Sequence, residues 1–442
     1  MTVTADRLTA EEILRLNREY TFFSWSAQAK INPIVIDRAE GIYFWDPDGK
    51  RYIDFNSQLM SVNIGHGDKR VADAIAEQAY RLAFAAPQFA TEARGRLGQL
   101  LAELTPGDLN TFFFTLGGAE ANENALRMAR MVTGRQKVIA RYRSYHGATG
   151  GAISATGDPR RWANEPAVPG FVRVLDPQRY PGGEPEPVEA HLAYLDEVIN
   201  YEGPHTIAAF ILETVVGTNG ILIPPDGYLQ GVRELCDRYG ILLIADEVMA
   251  GFGRTGRWFA VDHWGVVPDL LTMAKGLTSS YLPLGAVAMS PLIAEHFAER
   301  VYYGGLTYSA HPLSCAAAIA AVNVLRDDDL VGNAARLGPV LGDHLARLQA
   351  THPSVGAVRN IGLFGIVELI RDATTREPMA PFNGSSPEMA ALDARLKADG
   401  LYTMQHWDSF FTNPPLCITE QQLDEAFAII DAALEVTDAA VR

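Results

Sequence analysis

Cysteine is scarce in this sequence, because its 442 residues include only three, Cys236, Cys315 and Cys417. Their wide and odd spacing matches neither a disulfide framework nor the paired spacing of a zinc site. We therefore expect three small buried side chains in a reducing compartment, with no bound metal.

Positive charge and long apolar runs are also lacking. Lys and Arg total 37 against 53 Asp and Glu, which gives a formal net charge of −16. Such an acidic chain lacks the electrostatic footprint of a nucleic-acid-binding protein, and anionic membranes would repel it. No run reaches the roughly 20 apolar residues of a membrane-spanning helix, and the N-terminal residues lack the apolar core of a signal peptide. We expect a cytoplasmic protein that acts on small molecules, without nucleic-acid or membrane partners.

The middle of the chain alternates short apolar runs with segments of helical periodicity. The runs are residues 111–115, 137–141, 207–213, 241–248, 269–274 and 285–289, and a helical segment at 228–240 separates two of them. Apolar residues make up 48% of the chain, which is enough for a large core. The alternation predicts an α/β fold whose mostly parallel sheet is covered by helices on both faces.

The two ends of the chain have a different pattern. After a helix at 11–20, residues 34–55 predict strands joined by turns. Beyond about residue 330 the pattern predicts helices at 332–350, at 387–400 and from Glu420, with short strands near 362–370. We expect an N-terminal segment (1–70) that packs with a small α+β domain (331–442), beside a large domain (71–330). The Pro- and Gly-rich stretch 174–190 predicts a surface excursion.

The segment GFGRTG (251–256) follows an apolar strand and matches the glycine pattern of dinucleotide-binding proteins. That fingerprint requires a helix that begins at the third glycine, so that its N-terminus meets the pyrophosphate. The following residues lack helical periodicity, and the charges of Asp246 and Glu247 would oppose a diphosphate. The pattern favours tight turns, and an oxidoreductase that binds NAD through Gly251–Gly256 stays a remote alternative.

Lysine is rare, with six residues against 31 arginines, and Lys275 directly follows an apolar run. An ammonium at the end of a buried strand is costly to desolvate, so its pKa should fall. The neutral amine could then form a Schiff base with an aldehyde. Taken alone, Lys275 is also compatible with a side chain that reaches from a strand end to solvent.

Three further features suit an aldehyde cofactor that carries a phosphate and a pyridine ring. The segment Gly117–Ala119 precedes a predicted helix, whose free N–H groups and dipole attract phosphate. Asp246 ends an apolar run, where its carboxylate could keep a ring nitrogen protonated. Tyr145 and Val248 could cover the two faces of the ring. Each residue alone is compatible with a loop, cap or core position, but together they favour a cofactor site.

These segments, in this order, resemble the class III aminotransferases, the ω-aminotransferase group, which use pyridoxal 5′-phosphate. The resemblance covers nearly the whole chain through GIYFWDPDGKRYIDF, FFTLGGAEANENALRMAR, SYHG, IADEVMAGFGRTG, PDLLTMAKGL, GLTYSAHP and PPLCIT. The segments FFSWSAQ, FNSQLMSVNIGHG and YRSYHGATGGAISATGDPRRW are similar to the taurine or β-amino-acid branch. The resemblance implies a fold-type I transferase, with a large cofactor-binding domain and a smaller α+β domain built from both termini.

The resemblance also implies roles for single residues. Lys275 would form the Schiff base and carry protons, and Asp246 would partner the pyridine nitrogen. Tyr145 and Val248 would cover the ring, and His146 belongs to the same motif as Tyr145.

Further roles follow from the phosphate loop and from a second subunit. Gly118 and Ala119 match the phosphate loop, in which the family often has a serine. Thr307 matches a threonine that reaches the phosphate of the neighbouring subunit, which implies a homodimer with shared sites, or a tetramer built from it. Glu213 matches a glutamate that usually precedes a proline, and here Thr214 replaces the proline.

The implied reaction is ping-pong transamination by Schiff-base chemistry. An amine or a β- or ω-amino acid, taurine-like compounds included, would donate an amino group to a keto acid such as pyruvate or 2-oxoglutarate. Lys275 would serve as the base in both halves of the reaction. An aminomutase or a decarboxylating enzyme on the same scaffold remains an alternative, whereas the intact Lys275 and Asp246 argue against a non-catalytic scaffold.

The substrate pocket departs from the family in one respect. Related enzymes often place an arginine shortly before the final Pro-Pro to hold a carboxylate, but residues 400–416 contain none, and Met404 or His406 takes its place. Candidate replacements are Arg143, Arg160 and Arg161. The other expected pocket residues are Phe22, Phe23, Trp25, Leu59, Met60 and Phe89. Such an apolar pocket favours aryl or alkyl amines and β- or ω-amino acids.

Overall fold

The computed structural model describes residues 8–178 and 186–442. Its α-helices are α1 (Ala10–Tyr20), α2 (Ser57–Met60), α3 (Lys69–Arg81), α4 (Glu92–Ala102), α5 (Gly118–Thr133), α6 (Gly150–Ala155), α7 (Val188–Glu202), α8 (Tyr228–Tyr239), α9 (Pro291–His296), α10 (Pro312–Asp327), α11 (Leu330–Thr351), α12 (Pro387–Ala398) and α13 (Glu420–Asp438). The strands are β1 (Arg38–Glu40), β2 (Tyr43–Trp45), β3 (Arg51–Asp54), β4 (Thr111–Thr115), β5 (Lys137–Arg141), β6 (Phe171–Val174), β7 (Ile207–Glu213), β8 (Leu242–Asp246), β9 (Leu270–Met273), β10 (Gly285–Met289), β11 (Val355–Ile361), β12 (Phe364–Leu369), β13 (Leu401–Tyr402), β14 (Gln405–His406) and β15 (Ser409–Thr412). The predicted excursion at 174–190 lies partly outside the described residues.

A seven-stranded sheet with the order β4-β10-β9-β8-β7-β5-β6 forms the centre of the molecule. Strands β9, β8, β7, β5 and β6 are parallel, and β10 is antiparallel to both of its neighbours, β4 and β9. Strand β4 therefore points in the same direction as the parallel strands. The prediction of an α/β fold with a mostly parallel sheet is confirmed.

Helices cover both faces of this sheet, as the continuous apolar runs predicted. Along β7, Ala209 and Ile211 pack against residues of α5 on one face, while Phe210 and Leu212 pack against α7 and α8 on the other. Every residue of β7 is buried. Since side chains alternate between the faces of a strand, a strand covered on both sides is apolar throughout.

The two ends of the chain meet in a second sheet, with the order β1-β2-β3-β13. Strand β13 pairs in parallel with β3, so that Leu401 lies opposite Ile53. A third sheet, β11-β12-β15-β14, is built only from C-terminal residues. The pairing of β3 with β13 brings residues just after position 55 near those just after position 402. The limits 1–70, 71–330 and 331–442 stay a prediction.

The structure describes the helix lengths, the candidate metal ligands and the three cysteines, of which Cys417, contrary to expectation, is not fully buried. Within the described ranges, no helix is both long enough and apolar enough to cross a bilayer. The same residues contain no cluster of three or more His, Cys, Asp or Glu side chains that could hold a metal ion. Cys236 and Cys315 are buried free thiols, and Cys417 is partly exposed.

Candidate active site

The carboxyl ends of the parallel strands gather the candidate residues at one edge of the central sheet. Glu213 ends β7 and lies opposite Asp246, which ends β8. Lys275 follows the end of β9 by two residues. Strand β4 points the same way, so the turn after it brings Gly117 to this edge. In open α/β sheets this is the edge at which ligands bind.

A cavity of about 780 Å³ opens at this edge. Its walls include the predicted cofactor residues Gly117, Gly118, Ala119, Tyr145, His146, Glu213, Asp246, Val248 and Lys275. They also include the predicted substrate residues Trp25, Leu59, Met60, Arg160, Met404 and His406. Wall residues that the sequence analysis missed are Leu116, Asn122, Gly147, Thr218, Met249, Ala274, Thr278, Ser280, Leu282, Pro283, Leu284 and Gln405.

Three donors fix the carboxylate of Asp246, which is only 4% exposed. Its Oδ2 accepts a hydrogen bond from Asn122 Nδ2 at 2.7 Å and lies 2.8 Å from His146 Nδ1. Its Oδ1 accepts the backbone N–H of Val248 at 3.0 Å. Because Thr272 Oγ1 donates to Asn122 Oδ1 at 2.7 Å, the amide nitrogen must face the carboxylate. This fixed carboxylate would favour a ligand with a positively charged ring N–H.

Asn122 is a cavity residue in contact with Asp246 that sequence reasoning missed. It lies in the first turns of α5 among the buried alanines Ala121 and Ala125. A buried amide on an otherwise apolar helix face must find a hydrogen-bonding partner. That polar interruption of the apolar face was the signal available in the sequence.

Lys275 lies at the floor of the cavity with a left-handed backbone φ of 45°. Residues other than glycine adopt this conformation at a cost, and such strain clusters at functional sites. Burial lowers the pKa of the Lys275 ammonium to about 8, even though the nearby carboxylates of Asp246 and Glu213 oppose the shift. The amine is therefore neutral more often near pH 7 than that of an ordinary lysine.

Glu213 holds the loop that carries Tyr145. Its Oε1 accepts the Tyr145 N–H at 2.9 Å, and its Oε2 accepts the Gly217 N–H at 2.8 Å. Burial raises the pKa of Glu213, and the neighbouring Asp246 raises it further. Thr214, which replaces the proline expected from the resemblance, is fully buried beside it.

The start of α5 leaves backbone donors at the cavity wall. Its N-cap residue, Gly117, has no side chain that could bind the first N–H groups. A Cβ atom at Gly118 would lie 2.7 Å from Val248 Cγ1, and one at Gly147 would lie 2.5 Å from the Cβ of Ala119. Only glycines at these two positions permit such close packing against Val248 and Ala119. The free N–H groups in the first turn of α5 are suited to an anion such as phosphate.

Arg160 is the arginine that the fold brings into the cavity wall. Its Nε donates to Asp158 Oδ2 at 2.9 Å, and its Nη2 donates to Thr218 Oγ1 at 2.7 Å. The guanidinium lies 3.7 Å above the ring centroid of Tyr145, a cation–π contact. The Trp25 ring lies edge-on to the Tyr145 ring, with 6.3 Å between the ring centroids. These contacts leave Nη1 of Arg160 for a ligand.

The two other candidate arginines point elsewhere, which corrects the prediction for Arg143. Arg143 Nη2 donates to the carbonyl of Asn219 at 2.6 Å. Arg161 Nε donates to the carbonyl of Gly157 at 3.2 Å. A carbonyl 76 residues away thus sets the direction of the Arg143 side chain, whereas Arg161 binds groups four residues away on either side, Gly157 and Glu165.

Within the single chain, three of the predicted aromatic residues do not line this cavity, and their part in a substrate pocket stays a prediction. Phe89 is 60% exposed and lines a separate groove beside α4. Phe22 is 82% exposed. The Gln28 amide binds the backbone of Phe23 at both its N–H and its carbonyl, and Phe23 is absent from the cavity wall although Trp25 of the same loop lines it. Thr307 is also exposed and outside the cavity.

Leu59 and Met60 reach the cavity from the strained segment α2. Ser57, Gln58 and Met60 all have left-handed φ values. Both carboxylate oxygens of Asp54 accept the Gln58 N–H, at 2.8 and 2.9 Å. Several such contacts are needed to hold a strained backbone in one conformation.

The GFGRTG segment joins distant parts of the chain and opens no helix. The side chain of Arg254 is fully buried, and burial lowers its pKa to about 9. It donates to the carbonyls of Leu363 at 3.0 Å and Pro414 at 2.5 Å, and to Ser57 Oγ at 3.0 Å. No α-helix begins at Gly256, and only a four-residue 3₁₀ turn (Ala260–His263) follows it, which leaves the NAD alternative without its binding element.

Comparison with known proteins gives a consistent result. The family described as "Aminotransferase class-III" matches residues 25–434. The solved taurine:2-oxoglutarate aminotransferase from Bifidobacterium kashiwanohense, in complex with PLP and glutamate, is 43% identical with a TM-score of 0.95, over 99% of this chain and 100% of that one. The putrescine–pyruvate aminotransferase of Pseudomonas aeruginosa is 34% identical over 92% of this chain and 91% of its own length. The taurine–pyruvate aminotransferase of Bilophila wadsworthia is 32% identical over 97% of this chain and 98% of its own length.

Proposed function

Because this chain belongs to the class III aminotransferases, which use pyridoxal 5′-phosphate to move an amino group to a keto acid, we propose that the cavity at the sheet edge is its active site. One observation carries the proposal: Lys275, Asp246 and the uncapped start of α5 all face the same cavity. An amine, a carboxylate and a phosphate-binding helix start are the groups that this cofactor requires. The named relatives are all aminotransferases, which favours transamination over mutase or decarboxylase chemistry.

The residues of the cavity fit the cofactor, and each would hold one part of it. The backbone N–H groups of Gly118 and Ala119 would bind the phosphate, and Ala119 offers no hydroxyl to assist them. The carboxylate of Asp246 would bind the protonated ring nitrogen. Tyr145 and Val248 would cover the two faces of the ring. When bound, the cofactor supplies an electron sink for breaking a bond at the carbon that carries the amine.

Lys275 would bind the cofactor covalently and then carry the proton. Its Nζ, released as a neutral amine, would accept the proton from the substrate carbon and return it on the cofactor side. The lowered pKa of Lys275, about 8, keeps its neutral and charged forms close in energy at working pH. A base that must both take and give the same proton works best with a pKa near the working pH.

We further propose that the amino donor carries a terminal acid group, a sulfonate or a carboxylate, which Arg160 binds. Trp25, Leu59 and Met60 contribute apolar surface to the same cavity as Arg160. A short ω-amino acid places an amine at Lys275 and an anion at Arg160, and the carboxylate of a keto acid can use the same anchor. Two of the named relatives act on taurine.

A diamine is the competing donor, since one relative acts on putrescine. The second ammonium of a diamine would meet the guanidinium of Arg160, and like charges at close range repel each other. Asp158 offsets part of the Arg160 charge, but we still expect the site to prefer a donor with an acid group over a diamine.

We propose a homodimer in which Thr307 contributes to the site of the partner subunit. Exposed aromatic residues lie near Thr307 in the chain or contact its neighbour Tyr308: Tyr303 is 76% exposed, Tyr308 54% and Phe84 44%. Phe84 and Tyr308 form an edge-on pair with 6.2 Å between ring centroids. Exposed apolar patches of this kind mark interfaces between proteins. Analytical ultracentrifugation should show a dimer, and a monomer with full activity would contradict this part of the proposal.

Lys275→Ala tests the proposed active site. The variant should lose amine transfer from a donor panel of taurine, β-alanine and putrescine to pyruvate and 2-oxoglutarate, because no other amine replaces the base. Borohydride reduction of the wild-type holoenzyme, followed by peptide mapping, should find the cofactor on Lys275. Lys397→Ala is the matched control, since Lys397 is paired with Asp393 on α12. Transfer by Lys275→Ala at the wild-type rate, or an adduct at another lysine, would refute the assignment.

A further inference from the structure

The hairpin of β14 and β15 forms one wall of the cavity. Gln405 pairs with Phe410 and His406 pairs with Ser409, so β14 is the edge strand of its sheet. Met404 and His406 are two residues apart, which places their side chains on the same face of the strand. Both residues line the cavity. This segment therefore contributes one apolar residue, Met404, and two polar residues, Gln405 and His406, to the cavity wall.

The Nε2 atom of His406 is buried, and among the described residues it has no hydrogen-bond partner. Buried polar atoms in folded proteins are almost always hydrogen-bonded, and each exception calls for an explanation. The imidazole lies against the ring of Trp407, with centroids 4.2 Å apart and planes at 27°. That contact restricts the orientation of the imidazole, so a ligand in the cavity is the natural partner of Nε2.

The surroundings of His406 keep its imidazole uncharged. The pKa of His406 is lowered to about 4, chiefly by burial and also by Arg160 and Arg143, against the opposing effect of Asp158. A neutral imidazole carries one N–H donor and no net charge. His406 and Arg160 line the same cavity.

We propose that His406 is a specificity-determining residue, whose Nε2–H donates a hydrogen bond to an oxygen of the acid group that Arg160 binds. The inference rests on the proposed function, because the acid-bearing donor is part of it. A second cation at this point would bind the acid more strongly, but Arg160 and Arg254 already disfavour the charged form of Lys275. A neutral donor adds recognition of the acid without adding positive charge near the base.

Three variants of the pyridoxal 5′-phosphate-loaded enzyme test this role. His406→Phe removes the donor and keeps a flat ring, His406→Gln restores an N–H donor, and Met404→Leu is the apolar control on the same face. The measurements are kcat/KM for taurine, β-alanine and 1-aminopropane, together with the inhibition constants of propane-1-sulfonate and propanoate. 1-Aminopropane has the amine without the acid, and the two inhibitors have the acid without the amine.

His406→Phe should lower kcat/KM by about ten-fold for taurine and β-alanine, since a hydrogen bond to a charged group is lost. It should weaken inhibition by both acids by about the same factor and leave 1-aminopropane within about two-fold. His406→Gln should recover most of the loss. Met404→Leu should change the three amines alike. A larger loss for the sulfonate pair than for the carboxylate pair would show that the third oxygen of a sulfonate uses this donor.

Equal losses for amines with and without the acid, or unchanged inhibition by both acids, would overturn the role of His406. The inhibition constants show whether His406 binds the acid group, even if the rate with 1-aminopropane also changes. Arg160→Met separates this inference from the proposed function. If Arg160→Met weakens inhibition by the acids and His406→Phe does not, only the role of His406 fails. If neither variant changes acid binding, the acid-bearing donor itself is excluded.

Discussion

The ammonium of Lys275 should destabilise the folded apoenzyme. Its pKa falls from 10.5 to about 8 on folding, chiefly because of burial. A shift of about 2.5 pH units, at about 1.4 kcal/mol per unit, corresponds to about 3.5 kcal/mol. The cavity admits some water to the side chain, so this figure is an upper limit. We expect Lys275→Met, which is of similar length and uncharged, to stabilise the apoenzyme by about 1 to 3 kcal/mol at pH 7.

The pH dependence gives the sharper test. Below pH 8 the lysine is protonated in both states, and the folded chain carries the full penalty. As the pH rises from about 8 to 10.5, the folded state releases its proton while the unfolded state keeps it. The wild-type apoenzyme therefore gains stability relative to Lys275→Met over this range. The advantage of the variant should be largest at or below pH 7 and should shrink as the pH approaches 10.

Urea unfolding of the apoenzymes at pH 7 and pH 9.5 measures both effects. Lys397→Met serves as the control, because Lys397 is on the surface of α12 and is paired with Asp393 at 2.6 Å. A surface ion pair contributes little, so its loss should change stability by less than about 1 kcal/mol at either pH. The reasoning is refuted if Lys275→Met is no more stable than wild type at pH 7, or if its advantage is the same at both pH values.

Three other substitutions test the supporting structure. Asn122→Leu removes a donor from the Asp246 carboxylate, and cofactor affinity measured by fluorescence titration should fall by about ten-fold; an unchanged Kd would exclude this positioning role. Gly118→Ala puts a Cβ atom 2.7 Å from Val248, so it should lower both Tm and cofactor affinity, and adding Val248→Ala should restore part of each; a single variant with wild-type Tm and affinity would contradict the steric argument. Arg254→Met leaves two buried carbonyls without their donor and should destabilise the fold by about 3 kcal/mol in urea unfolding; a loss below about 1 kcal/mol would show that the carbonyls find other partners.

The sequence by itself determined the fold class and the chemistry of the cavity floor. Lys275, Asp246 and Gly117 each follow a short apolar run, and the parallel arrangement that such runs predict brings the ends of those strands to one edge. These residues are therefore predictable from local pattern, because strand ends and helix starts are local features. The resemblance carried by the same motifs identified the family before any geometry was known.

Only the tertiary structure decided which polar side chains face the ligand. Arg160 enters the cavity because Asp158 and Thr218 hold it there, whereas Arg143 is bound by a loop carbonyl more than seventy residues away along the chain. The uncharged state of His406 depends on its burial beside these arginines. Such side-chain directions and charge states result from contacts between segments far apart in the chain, and residue spacing does not reveal those contacts.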